Sequence, residues 1–176
     1  MYKKILVAMD NSEISQQVFN SAVSLGKQNN STLMLLHVLT DEEMGLTEIA
    51  TQHISALEYH AAMVEQVEAY LKEKDLFRQK YLNLLASWAQ EAADAGVPAE
   101  YSLNYGGPGR TICDLAKNWD ADLIMMGRRG LSGFSELLMG SISNYVVHHS
   151  PCSVFIVQDK HHKGKMAEVI KAETEG

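Results

Sequence analysis

Two apolar runs near the start of the chain, Ile5-Leu-Val-Ala-Met9 and Thr32-Leu-Met-Leu-Leu-His-Val-Leu39, restrict the fold more than any other feature. Runs with almost no polar alternation suit strands buried on both faces, as in a parallel sheet covered by helices. Between them Ile14, Val18, Ala22 and Leu25 recur on one helical face, and Asp10-Asn-Ser12 offers a turn and a helix N-cap. The pattern predicts a helix to about Lys27 that stops near Asn29-Asn30. Strand, helix and strand in so short a span form a βαβ unit with a right-handed crossover.

The segment from Asp41 to about Lys80 is longer than a compact fold needs. Ile54, Leu57, Ala61 and Val64 have helical spacing, and a second stripe holds Phe77, Tyr81, Leu84, Leu85, Trp88 and Ala92. The expectation is one or two helices inserted ahead of a return helix, serving partner contacts, covering a site or simply standing in solvent. Ala99–Tyr105 then reads as a third strand at a sheet edge, and Gly106-Gly-Pro-Gly109 as a turn. Ile112, Leu115, Ala116 and Trp119 mark a helix, and Leu123-Ile-Met-Met126 a fourth strand. Ile142, Tyr145, Val146 and His149 stripe a last core helix stopped by Ser150-Pro151. Ser153–Val157 is the fifth strand, followed by a polar, lysine-rich tail over 159–176. Strands alternating with helices predict an α/β three-layer sandwich, Rossmann-like, with a five-stranded parallel sheet. With the third strand at an edge, the order is 3-2-1-4-5, which sets the first and fourth strands side by side.

The loop after the fourth strand, Gly127-Arg-Arg-Gly-Leu-Ser-Gly-Phe-Ser-Glu-Leu-Leu-Met-Gly-Ser141, is rich in glycine and opens a helix. Glycine lets backbone N–H groups approach a ligand closely, and the start of a helix favours anions. Taken alone, these glycines would serve equally well in a long turn. Their place tips the balance, since ligands of such sheets sit beyond the carboxyl ends of the strands, where the order reverses. Asp10 leaves the first strand at the same crevice. The loop contains no P-loop GK[ST] and no G-x-G-x-x-G fingerprint.

A net charge of −7 argues against nucleic acid or an anionic membrane as the main partner, although Arg128 and Arg129 supply a local positive field. One of the two is expected at a phosphate, with Arg129 the candidate. No apolar run approaches the roughly 20 residues of a spanning helix, and the expectation is a cytoplasmic protein. Cys113 and Cys152 show no CxxC spacing and read as small core residues. The His148-His149 and His161-His162 pairs lack the geometry for a shared metal ion.

These residues together resemble the universal stress protein family. The signature G-x2-G-x9-G-[S/T] is met by Gly127, Gly130, Gly140 and Ser141, with no departure from the pattern. Ile5-Leu-Val-Ala-Met-Asp10, Met125-Met-Gly127 and His148-His-Ser-Pro-Cys-Ser-Val154 support it. The resemblance covers a single domain over 1–158, apart from the helical insertion at about 41–80. It implies an adenine nucleotide alpha hydrolase-like fold and ATP, or ADP or AMP, as ligand. Ala8 and Asp10 would face the adenosine, the Val38 backbone the adenine edge, and Met126 and Gly127 the ribose. The amides of Gly130, Gly140, Ser141 and Ile142, with the hydroxyls of Ser141 and Ser143, would hold the phosphates. Mg²⁺ or Mn²⁺ would bridge phosphate oxygens rather than sit in a protein cage. The family also implies a homodimer through Ser153–Val157.

Three functions follow as expectations. The first is an ATP-dependent regulatory or stress-response dimer, whose nucleotide biases a partner surface at 41–80. The second is a slow ATPase or self-phosphorylating protein using Ser141 or Ser143, disfavoured by the lack of a Walker-type lysine and of an evident base. The third is an interaction module that binds no nucleotide, disfavoured by the intact signature.

Overall fold

The structure is a computed structural model that describes residues 2–41, 43, 56–128 and 140–158. Arg129, Gly130, most of the 41–55 stretch and the 159–176 tail lie outside the described residues. Five strands, β1 (Lys4–Met9), β2 (Thr32–Leu39), β3 (Ala99–Tyr105), β4 (Leu123–Gly127) and β5 (Ser153–Val157), alternate with helices α1 (Ile14–Asn29), α2 (Ala56–Asp94), α3 (Pro108–Asn118) and α4 (Ser141–His149). All strand pairs are parallel and the order is β3-β2-β1-β4-β5, as the alternation and the edge character of β3 predict.

The pleat sorts the core into two layers. Ile5, Val7, Met9, Leu33, Leu35, Leu123 and Met125 point to one face, where Val18, Phe19 and Ala22 of α1 and Leu85, Ala89 and Ala92 of α2 cover them. Leu6, Met34, Leu36, Val38, Ile124 and Met126 point to the other, under Ile112, Cys113 and Ala116 of α3 and Val146 of α4. Central strands lie between both layers, which is why β1, β2 and β4 are almost wholly buried while β3 and β5 are partly open. Cys113 and Cys152 join the second layer as unpaired thiols, and burial raises both above the ordinary thiol value, so neither is a ready thiolate.

Several local expectations are corrected. The two stripes after residue 55 belong to a single unbroken helix of 39 residues, with no break between insertion and return helix. No glycine or proline occurs from Ala56 to Asp94 to interrupt it. It ends through Gly96, whose φ of 83° is the left-handed conformation that glycine adopts without a Cβ penalty. The turn at Gly106–Gly109 is shorter than expected, because Pro108 sits in the first turn of α3, where its missing N–H costs nothing. The end of helix α1, by contrast, is as expected: it stops at Asn29, and Asn30 closes it in the left-handed region. On α4, Ile142 and Val146 face inward, whereas Tyr145 and His149 stack on each other at 4.0 Å on the outer side.

At the amino ends of the strands, Asp122 Oδ2 accepts the backbone N–H groups of Lys3 at 2.6 Å and Lys4 at 2.8 Å, tying β4 to the start of β1. These two bonds hold its carboxyl below the usual aspartate value. We expect Asp122→Ala to cost about 1 kcal/mol in urea unfolding at pH 7. Because the folded value is depressed, this stability is complete above the unfolded value of about 3.9 and is lost as pH falls through the folded one. The gap between wild type and variant should therefore close in acid. An unchanged gap at pH 2 would remove the carboxylate from the account.

Candidate functional site

The crevice forms where β1 and β4 diverge into crossovers on opposite faces. It is a cavity of about 790 Å³ at the carboxyl end of the sheet. Every described candidate from the sequence lines it: Ala8, Asp10, Val38, Met126, Gly127, Gly140, Ser141, Ile142 and Ser143. Register explains the assembly, since Ala8 pairs with both Leu36 on β2 and Met126 on β4. Three strands thus end together beneath the start of α4.

Asp10 is held by backbone and hydroxyl groups rather than by helix capping. Its Oδ1 accepts the Ser12 N–H at 3.0 Å, the Ser12 hydroxyl, and the Ser15 hydroxyl at 2.9 Å. The Ser15 oxygen in turn accepts the Asp10 N–H at 3.0 Å. The expected N-cap in Asp10–Ser12 is therefore corrected: Glu13 occupies that position, with no side-chain cap. What Asp10 closes is the turn ahead of the helix, through its side chain and the N–H two residues on. This fixes a carboxylate in the cavity wall. Ser15, 4% exposed, escaped the sequence reading, although a serine beside Ile14 on the buried side of α1 was a signal for a local polar anchor.

Two glycines of the loop differ in what they do. Gly127 is enforced by packing: a Cβ there would lie 2.6 Å from Ile14 Cγ2 and 3.4 Å from Val18 Cγ2. Gly140 is not. Its φ of −55° suits any residue, and a Cβ would meet nothing within 4 Å among the described residues. It stands as N-cap of α4 with no side-chain cap, so the amides of the first turn are turned to the cavity without intrahelical partners. Such an end attracts anions, and Ser141 and Ser143 bring hydroxyls to it. The backbone N–H of Arg128 is bonded to the Val157 carbonyl at 3.0 Å, which fixes the exit of β4 toward the cavity.

Thr40, Glu43, Pro108 and Ile112 also line the cavity and were not anticipated. The Thr40 N–H donates to Glu43 Oε2 at 3.3 Å and the Glu43 N–H to Thr40 Oγ1 at 3.2 Å, a reciprocal pair. The Thr40-x-x-Glu43 spacing was the available sign of it.

The universal stress protein family model matches residues 1–158, which takes in every strand and the whole cavity. The chain belongs to the universal stress protein family. Universal stress protein Sll1388 of a Synechocystis strain is 38% identical over 157 residues, covering 89% of this chain and 98% of that one. The solved universal stress protein UspA of Lactobacillus plantarum is 30% identical, with a TM-score of 0.56, across 89% of this chain and 97% of the other. A family protein of Arabidopsis thaliana, solved with AMP bound, shares the fold at 21% identity and a TM-score of 0.57, over 90% and 92%. Among the described residues of this universal stress protein no helix is long and apolar enough to cross a membrane.

The Gly127 contact is testable without any ligand. We expect Gly127→Ala to destabilise by roughly 1–3 kcal/mol through overpacking against Ile14. Adding Ile14→Ala should cost less than the sum of the two single changes in a double-mutant cycle. Strict additivity would mean that the two residues do not meet.

Proposed function

We propose that this universal stress protein is a nucleotide-responsive regulator that binds ATP, or ADP or AMP, in the cavity between β1 and β4. The observation that carries the reading is Gly140: neither its backbone angle nor its neighbours among the described residues require glycine, so the space those residues leave at the start of α4 is best explained by a group that comes to occupy it. A phosphate fits that space, since the first-turn amides and the Ser141 hydroxyl supply donors and the helix supplies partial positive charge. The adenosine would lie across Ala8, Val38 and Met126, an apolar floor, with Asp10 as acceptor toward its ribose or base. Gly127, Ile142 and Ser143 complete the wall, while Gly130 is assigned to the phosphates through the family signature and Arg129 as a local positive charge. A Mg²⁺ or Mn²⁺ ion would be held through phosphate oxygens and water. The AMP bound to the Arabidopsis thaliana relative supports the ligand class.

The assembly proposed is a homodimer through β5. This is an edge strand whose Phe155 is half exposed, so it offers unpaired backbone groups and an apolar side chain to a second copy.

Mass spectrometry of small molecules released by denaturing the freshly purified protein should detect an adenine nucleotide. Gly140→Val should weaken ATP binding at least about 100-fold in calorimetry, the scale of a Cβ clash with a bound phosphate, and leave the circular dichroism unchanged. Ser141→Glu should do the same by placing a carboxylate against the phosphates. Unaltered affinity in both variants would overturn the site, and the absence of nucleotide binding in the wild type would overturn the function.

A further inference from the structure

His37 lies one residue before Val38 on β2, so its side chain points to the opposite face of the sheet from the cavity. It is 4% exposed, and its Nδ1 is 3.0 Å from the Met9 carbonyl oxygen. A carbonyl only accepts, so Nδ1 carries a hydrogen, and Nε2 of the neutral ring then presents a lone pair. Among the described residues that nitrogen has no hydrogen-bond partner, and it is shut off from water. What faces it, at 3.4 Å and out of line for a hydrogen bond, is Glu43 Oε2. A lone pair opposed to a carboxylate across a dry gap is repulsive, and one proton on the pair turns it into an ionic attraction.

The imidazole is not placed to turn away, whereas the Glu43 carboxyl keeps an open side. The Tyr81 ring of α2 stacks on the imidazole at 4.1 Å and 11°. The Tyr81 hydroxyl accepts from Asn11 Nδ2, next to Asp10. Glu43 is held by its reciprocal bonds with Thr40, yet its carboxyl is 21% exposed and forms part of the cavity wall. Of the charged groups on the packed elements, Lys80 Nζ lies 5.9 Å from the Tyr81 ring, Lys74 Nζ 4.8 Å from the Tyr105 ring of β3, Arg78 is paired with Asp75 on α2, and the Asp10 carboxylate is turned to Ser12 and Ser15. The neighbour on β3, Leu103, is apolar.

We propose that His37 is a positioning residue for the cavity: a proton shared with Glu43 holds the Glu43 carboxylate at the rim in the ligand-accepting arrangement. Loss of that proton sets the carboxylate against the lone pair and releases it to its open side, toward the anionic ligand. The ligand-accepting form therefore binds one proton more than the released form. Affinity is full at low pH and falls as pH rises through the loss of that proton, by up to about tenfold per unit. The ligand here rests on the nucleotide reading above, whereas the proton-sharing pair does not.

Two measurements separate these. In the nucleotide-free protein with ¹⁵N-labelled histidine, raising the pH should remove the Nε2 proton of His37, and the backbone amides of Thr40 and Glu43 should shift with the same midpoint. In Glu43→Gln the amide N–H can donate to the lone pair, so the amides at 40 and 43 should no longer follow the ring. Independent titration of ring and rim in the wild type, or an unchanged response in Glu43→Gln, overturns the proposal whether or not a nucleotide binds. In calorimetry with ATP and Mg²⁺, wild-type affinity should decline with pH and the heat should depend on the buffer's ionisation enthalpy, as proton uptake requires. For Glu43→Gln the affinity should be flat over the same range. Equal slopes in the two proteins also overturn it, whereas no binding by the wild type at any pH defeats the nucleotide reading and leaves the pair to be judged by the ring titration.

Discussion

The hydrogen-bonded pairing of β1 with β4 is the constraint on which the rest of the molecule depends. Lys4 and Asp122 meet across 118 residues of sequence, and Ile5 to Ala8 lie in register with Leu123 to Met126. Right-handed crossovers then send α1 and α2 to one face and α3 and α4 to the other, so two strands diverge at one edge and a cavity opens between them. Everything that lines it is a consequence. Ala8 and Met126 arrive as paired residues, Asp10 and Gly127 as their continuations, and the start of α4 as the return connection. The site is a property of the topology before it is a property of any side chain.

Much of this was legible in the sequence because the signals are local and physical. Continuous apolar runs located β1, β2 and β4, since buried parallel strands have no polar face to alternate with. The weaker alternation of Ala99–Tyr105 marked the edge and thereby the strand order. The cavity residues followed from that order and the glycine signature. Other features depend on distant partners, and sequence alone conceals them. Gly127 looked like a loop glycine for a ligand, but its small size is required by Ile14 of α1. Asp10 looked like a cap, but the register of Ser12 and Ser15 makes it the closure of a turn. Tyr145 and His149 kept helical spacing without facing the core, because periodicity identifies a face and not what covers it.

The carboxyl edge of the sheet is where the two faces communicate. Glu43 belongs to the cavity on one side and meets His37 on the other, and Tyr81 lies over His37 while its hydroxyl reaches Asn11. The ends of β1 and β2, which carry Asp10 and Val38, are thus both in contact with a single residue of α2. A buried polar group whose geometry is only partly satisfied is costly in a low dielectric. Its presence here, beside a cavity wall, marks a place where the fold gives up some stability for a site.

The unbroken course of α2 gives that contact a mechanical meaning. With a rise of 1.5 Å per residue, the stretch from Tyr81 back to Ala56 is a rod of roughly 38 Å with no proline or glycine to absorb bending. A rotation of only about 5° at Tyr81 sweeps its far end through on the order of 3 Å. Sub-ångström adjustments beside His37 would emerge at the tip as displacements large enough to make or break a side-chain contact, so the helix behaves as a pointer whose pivot lies next to the cavity.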